Sequence, residues 1–203
     1  EIKRHFSLDA EQEAVLIGTL LGDASLNKRG HNYRLHIKHA QSQLSLTRFK
    51  RTVFSNITNM PIRSFTQKVK EKNYAFCEFV TLTHPIFSDY HHLFYPQGKK
   101  VITEALCMKI HHPLTLATWF MDDGSSDHAG LVFNTHCFSI SELERLQKTL
   151  KLVFGITTTL GKNKGKSIMY LPKREVTTFV DMVKPYTLPD FYYKLIPYSQ
   201  RTP

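Results

Sequence analysis

Two stretches a hundred residues apart constrain this chain more than any other feature. LIGTLLGDA (Leu16 to Ala24) lies on LATWFMDDG (Leu116 to Gly124) without a gap. Both begin with Leu, run through small and apolar residues, carry Asp in eighth place and end on a small residue, which pairs Asp23 with Asp123. Self-similarity of this kind marks two copies of one structural unit. Further on, GKKVIT around Lys100 resembles YYKLIP around Lys194, at similar distances from the two aspartates. The 203 residues therefore divide into an N-terminal half, 1–100, and a C-terminal half, 101–203, each with one Asp and one late Lys.

The halves also repeat in outline. Ser7 can cap a first helix whose opening turn holds Asp9 and Glu11 and which ends near Gly22. Its counterpart takes Pro113 in the first turn and stops at Gly124. Strand-like segments follow: YRLHIKH sets Leu35 and Ile37 against Arg34, His36 and Lys38, and GLVFNTHCF comes after the second helix. Second helices read from 42–54, with Leu44, Leu46, Phe49 and Val53, and from 140–154, opened by the capping box Ser141–Glu144. IRSFTQKVK and YAFCEFVTL, and in the other half ITTTLGKNKGKSIMYL, are further strands. Helices near 84–94 and 173–183 close the halves, so the fold class is α+β.

An apolar fraction of 41% with 12% aromatics describes a folded chain. The balance of 27 Lys+Arg against 17 Asp+Glu, a net charge of +10, favours a polyanionic partner. No apolar run approaches the roughly 20 residues of a membrane span, and EIKRHFSLDAEQE lacks a signal-peptide core. Cys77, Cys107 and Cys137 are odd in number and widely spaced, which fits reduced thiols. Cys107, His111 and His112 lack a second ligand pair at finger spacing. The charge is patterned on strands. Arg34, His36 and Lys38 share one strand face, Lys68, Lys70 and Lys72 cluster in one hairpin, and Lys162, Lys164 and Lys166 cluster in its counterpart. With Lys28, Arg29 and Arg63 they are the candidate DNA contacts, since a two-stranded ribbon fits the major groove.

The acids run against this basic background. A carboxylate at a helix C-terminus faces the negative end of the helix dipole. Gly18, Ala117 and Thr118 let the two motif helices pack closely, which brings Asp23 and Asp123 together at one end. Two such carboxylates repel unless a divalent cation lies between them. Hard oxygen donors suit Mg²⁺, which also takes oxygens from a substrate phosphate. Lys100 and Lys194 would then help neutralise charge developing on that phosphate.

At these residues the sequence resembles the LAGLIDADG family of homing endonucleases. LATWFMDDG matches the motif at Leu116, Ala117, Asp123 and Gly124, and LIGTLLGDA matches at Leu16, Gly18 and Asp23. Two motifs in one chain resemble the monomeric, intron-encoded branch, and LVFNTHCFSISELERL and VKPYTLPDFYYKLIP extend the similarity. The resemblance implies two αββαββα halves about a pseudo-two-fold axis, central paired helices and two antiparallel DNA-binding sheets. It implies metal binding by Asp23 and Asp123 with main-chain carbonyls at Gly22 and Asp122, and basic active-site residues at Lys100 and Lys194. His36, Lys38, Thr135 and His136 fall where polar residues meet active-site waters or flanking DNA. Mg²⁺ would support double-strand cleavage across the minor groove with 3′ overhangs; Mn²⁺ would substitute and Ca²⁺ would bind without cleavage. The partner would be a long asymmetric DNA duplex, met as a monomer in a mitochondrion or chloroplast and not on a membrane. Ala24 and Leu21 depart from the motif at helix-packing positions.

The same resemblance carries an alternative, an RNA-splicing cofactor (maturase) on intron RNA or a cleavage-dead DNA-binding protein; retention of Asp23, Asp123, Lys100 and Lys194 favours the nuclease. A protein straddling a long duplex makes many phosphate contacts, so affinity should fall about a thousandfold between roughly 50 and 200 mM salt. Fluorescence anisotropy across that range checks it, and a flat response would remove the duplex-spanning picture.

Overall fold

A computed structural model describes residues 6–163 and 165–200. The first half runs α1 (Ala10–Leu21), β1 (Ser25–Arg29), β2 (Asn32–Ala40), α2 (Leu44–Val53), β3 (Arg63–Val69), β4 (Lys72–Val80) and α3 (Pro85–Phe94). After a short helix α4 (Glu104–Met108) the order repeats: α5 (Pro113–Asp123), β5 (Gly124–Ser126), β6 (Leu131–Phe133), α6 (Ile140–Phe154), β7 (Thr159–Asn163), β8 (Lys166–Leu171) and α7 (Lys173–Val183). The sheets are antiparallel, in the orders β1-β2-β4-β3 and β5-β6-β8-β7. This is the α+β repeat that the sequence predicts.

Local chemistry explains the boundaries. Helix α1 starts two residues later than the Ser7 cap would place it, because Asp9 Oδ1 accepts from the Gln12 amide at 2.7 Å while Gln12 Oε1 accepts from the Asp9 amide. The Gln12 amide group also donates to Val53 O at 2.9 Å, tying the start of α1 to the end of α2. Helix α6 is capped by Ser139 and Glu142 and not by Ser141 and Glu144. Both pairs have the S-x-x-E spacing; the earlier one prevails where Glu142 Oε1 also accepts from the Ile102 amide at 2.8 Å. GLVFNTHCF is a strand only at Leu131–Phe133. Beyond it Asn134 turns back, its amide and side-chain nitrogen both donating to Asp123 O at 3.1 and 2.8 Å.

A single buried cluster joins both halves, from Leu16, Ile17 and Leu20 on α1 to Leu116, Trp119 and Phe120 on α5, with Leu35, Ile37, Phe79, Phe133 and Met169 from the sheets. Trp119 packs tilted and Phe120 edge-on against Phe133, at centroid distances of 4.2 and 5.1 Å. Leu21 and Ala24, the two departures from the motif, are both buried in this core. Among the described residues no helix is long and apolar enough to cross a membrane. Cys77 and Cys107 are buried free thiols and Cys137 is an exposed one.

Helices α1 and α5 touch backbone to side chain. A Cβ on Gly18 would sit 2.5 Å from Thr115 O and 2.8 Å from Thr118 Cβ, and one on Gly22 would sit 2.6 Å from Asp122 Cβ. Neither neighbour is a flexible chain end, so the helices would have to separate. Gly18→Ala should therefore lose about 1–3 kcal/mol despite alanine's better helix propensity. Urea unfolding should show a lower midpoint at unchanged slope; an unchanged or raised midpoint would mean that the contact is loose.

Candidate metal and phosphate site at the paired helix ends

Both motif helices end at the same place. Asp23 follows Gly22, the residue that caps α1, and Asp123 is the last residue of α5. The lysines sit symmetrically beneath them. Lys100 Nζ donates to Gly22 O at 3.0 Å, and Lys194 Nζ donates to Met121 O at 2.6 Å and Asp122 O at 3.1 Å. Each ammonium thus answers the carbonyl end of one motif helix, the favourable partner for that end of the dipole. Burial pulls both lysines below the ordinary lysine range, against the pull of the nearby aspartates in the other direction. The carbonyls of Gly22 and Asp122, expected as metal ligands, are the ones the lysines hold.

The two acids are unequal. His39 holds Asp23 below the usual carboxylate range, outweighing burial; Lys50 and Lys194 add to the effect. Burial pushes Asp123 up to about 7, and repulsion from Asp23 and Asp122 adds to the shift. The residues just before Asp23 and Asp123 are in contact, a Cβ on Gly22 standing 2.6 Å from Asp122 Cβ, so both aspartates emerge at the same end of the helix pair.

Asp122 does more than offer its carbonyl. Its buried carboxylate takes Lys50 Nζ at 2.5 Å and the Thr19 hydroxyl at 3.0 Å. Lys50 Nζ also lies 2.7 Å from Thr19 Oγ1 and 3.1 Å from His39 Nε2. Lys50, His39 and Thr19 are absent from the sequence-predicted site. The signal was there in phase: Lys50 falls four residues after Leu46 and four before Phe54 on the buried stripe of α2, and His39 continues the inward alternation Leu35, Ile37. Asp23, His39 and Asp122 form the cluster of potential metal-binding side chains found among the described residues. Cys107, His111 and His112 form no such cluster there; His112 instead caps α5, accepting from the Leu114 amide at 3.1 Å.

The expected DNA contacts divide by sheet and by face. Register puts Arg29, Arg34, His36, Lys38, Arg63 and Lys72 on one face of the first sheet. That face is pre-arranged. Glu78 accepts from Arg63 at 2.6 Å and meets His36 Nε2 at 3.1 Å, and Lys38 Nζ donates to Gln67 at 2.7 Å while lying 4.2 Å from the Phe76 ring centroid. Lys28 and Lys68 belong to the opposite side of the pleat, and Lys70 occupies the hairpin turn at φ 55°. The second sheet does not repeat this charge. Its corresponding face carries Ser125, Thr159, Ile168 and Tyr170, with Lys166 at the hairpin end and Lys162 on the other side. Lys164 lies outside the described residues. Thr135 is fully buried, its hydroxyl 3.4 Å from Ser167 O, so it faces neither water nor a groove; His136 beside it is exposed.

Residues 13–179 match the family model described as the LAGLIDADG DNA endonuclease family. A cytochrome b mRNA maturase bI2 of Debaryomyces hansenii is 31% identical over 196 residues, 93% of this chain and 74% of that relative. A probable intron-encoded endonuclease 1 of Wickerhamomyces canadensis is 28% identical over 202 residues, 96% of this chain and 87% of the relative. Among solved structures, the homing endonuclease I-WcaI bound to its DNA recognition sequence superposes with a TM-score of 0.87 at 28% identity, covering 95% of this chain and 89% of that one.

Asp123 gives the site a pH signature. Its folded value of about 7 stands above the ordinary aspartate value, so the folded protein holds an extra proton between them. Stability from this group is present at low pH and is lost as pH rises toward 7. In EDTA, Asp123→Asn should raise the melting temperature by several degrees at pH 8 and by clearly less at pH 5, because the penalty builds up between the ordinary aspartate value and about 7. Calorimetry at the two pH values checks it, and an equal effect at both would show that Asp123 is not strained by its neighbours.

Proposed function

Because the chain belongs to the LAGLIDADG DNA endonuclease family, we propose that it is a site-specific homing endonuclease that cuts both strands of a long asymmetric duplex. The observation that carries the proposal is the convergence of Asp23 and Asp123 at the paired ends of α1 and α5, each with a lysine at the adjoining carbonyls. I-WcaI, so similar in fold, is described in complex with its DNA recognition sequence, which supports DNA as the partner here.

The donor set suits a hard divalent ion. Asp23 and Asp123 offer carboxylate oxygens, Gly22 and Asp122 offer carbonyl oxygens, and a cation beside Asp123 would offset the burial and the repulsion that raise its carboxyl. Those residues would hold Mg²⁺, with Mn²⁺ able to replace it and Ca²⁺ binding without cleavage; the ion supplies Lewis-acid stabilisation of the phosphate and an acidified water. Lys100 and Lys194 bring positive charge to within reach of the same phosphates without the freedom to move away, since each is anchored on a helix-end carbonyl. The face with Arg34, His36, Lys38 and Arg63 would lie in a major groove, and both cuts would fall across the minor groove between the sheets, leaving 3′ overhangs. A monomer suffices, because one chain supplies both aspartates. An organellar, intron-encoded origin goes with this reading and is supported by the relatives' names.

A second reading is a splicing cofactor acting on intron RNA, favoured by the name of the Debaryomyces hansenii relative. Retained aspartates do not exclude it, and the two roles can share one chain.

Incubation of a randomised duplex library with Mg²⁺, Ca²⁺ or EDTA, followed by sequencing of the ends, separates them. Double-strand cuts within one long motif, dependent on Mg²⁺, are expected. Asp23→Asn and Asp123→Asn should each abolish cutting while leaving DNA affinity in EDTA within about threefold, since neither residue is a phosphate contact. Undiminished cutting by either variant would refute the assignment; salt-sensitive binding without any cut would favour the RNA role.

A further inference from the structure

Lys50 is fully buried, which is rare for a lysine and requires partners for its charge. Its ammonium lies within hydrogen-bonding distance of three groups: Asp122 Oδ1, Thr19 Oγ1 and His39 Nε2, at 2.5, 2.7 and 3.1 Å. An ammonium carries three protons and no lone pair, so the three contacts use all its donors and each partner must accept. Thr19 accepts on its oxygen and donates its own O–H to Asp122 Oδ2 at 3.0 Å. For His39 the consequence is a choice between ring nitrogens. Nε2 accepts, so the ring proton is on Nδ1, which is buried without a hydrogen-bond partner and faces Asp23 Oδ2 across 3.7 Å.

We propose that Lys50 is a positioning residue for cleavage: by occupying His39 Nε2 it fixes the Nδ1–H tautomer, aims that N–H at Asp23, and makes the Asp23 half of the site unlike the Asp123 half. The inference rests on the endonuclease reading. A metal shared by Asp23, His39 and Asp122 is the competing use of these side chains, whose ligand atoms lie within 4.8 Å of one another. Lys50 already supplies the cation there, hydrogen-bonded to Asp122 and to His39. The second half does not duplicate the arrangement. On α6 the buried face that corresponds to α2 carries Leu143, Leu146, Thr149 and Leu150. Nor is there room for a first-motif equivalent of Asp122: Gly22 holds that position, and even a Cβ on it would meet the Asp122 carboxylate at 2.8 Å. Close packing itself therefore makes the site lopsided, and the two strands are cut at unequal rates.

The test uses the full chain. In metal-free protein with ¹⁵N-labelled histidine, long-range ¹⁵N–¹H spectra should show His39 as the Nδ1–H tautomer. Lys50→Met combined with Asp122→Asn removes both buried charges together, which avoids an unpaired one. In that variant His39 should move to Nε2–H or a mixture. On the target recovered from the duplex library, the ratio of the two strands' nicking rates should shift about tenfold, the scale seen when a partner behind a metal ligand is lost. DNA affinity in EDTA should hold. An Nε2–H tautomer in the parent, or an unchanged strand ratio in a variant that melts cooperatively, would overturn the proposal. If the double variant does not fold, the parent spectrum decides alone. A parent that cuts no DNA would sink the endonuclease reading, and the cleavage role with it, without touching the tautomer result.

Discussion

The close crossing of α1 and α5 is the constraint on which the rest of the molecule depends. Gly18 and Gly22 leave no space for a side chain against Thr115, Thr118 and Asp122, so the helices approach at backbone distance. Each helix is apolar around nearly its whole circumference, and nine residues of each are buried. Such a helix belongs in the centre of a core. Once two of them lie there side by side, their C-terminal ends coincide and so do the acids that follow. The site is thus a by-product of central packing, and anything that spreads the helices also separates Asp23 from Asp123.

That geometry gathers negative charge at an already negative helix pole, and the chain meets the difficulty in three ways. Asp122 is neutralised inside the protein by Lys50, reaching across from the other half. The helix-end carbonyls are met by Lys100 and Lys194. Asp23 has the neighbouring His39. Asp123 is the member left under strain, and its carboxyl rises to about 7. A buried ion pair such as Lys50–Asp122 is weak evidence for stability, since desolvation offsets most of its attraction. Its effect here is on arrangement, because it fixes which carboxylate faces inward and which remain at the open end.

Much of this was readable from the residues. The repeat of Leu16–Ala24 on Leu116–Gly124 located both helices, both acids and, through the later Lys100 and Lys194, both ammonium groups now seen at the helix ends. Period-2 alternation placed β2, IRSFTQKVK and YAFCEFVTL read as the strands β3 and β4, and Pro113 with Gly124 bounded α5. What was missed depends on long-range partners. Ser139 and Ser141 have identical spacing to a glutamate, and only the distant Ile102 amide selects Ser139. Lys50 reads as one charge among many until Asp122, 72 positions away, is known to lie under it. Thr135 looked like a strand residue because nothing local announces that Asn134 will turn back to Asp123 O.

The sheets carry the same lesson outward. Lysines at matching places in two hairpins suggested two equivalent binding faces, yet one-residue differences in register decide which side of the pleat a side chain takes. The first sheet keeps Arg34, His36, Lys38 and Arg63 together and stiffens them with Glu78, Phe65 and Phe76. Holding long side chains in place before a partner arrives reduces the rotamer entropy lost on binding. The second sheet offers a shorter central strand, an uncharged centre and a lysine at its tip. A fused pair of repeats is free to diverge in this way, whereas a symmetric dimer is bound to present the same face twice. The two inequalities thus differ in origin: the one within the site follows from the close packing of α1 on α5, whereas on the endonuclease reading the one between the sheets is open to each half, which needs to match only its own side of an asymmetric duplex.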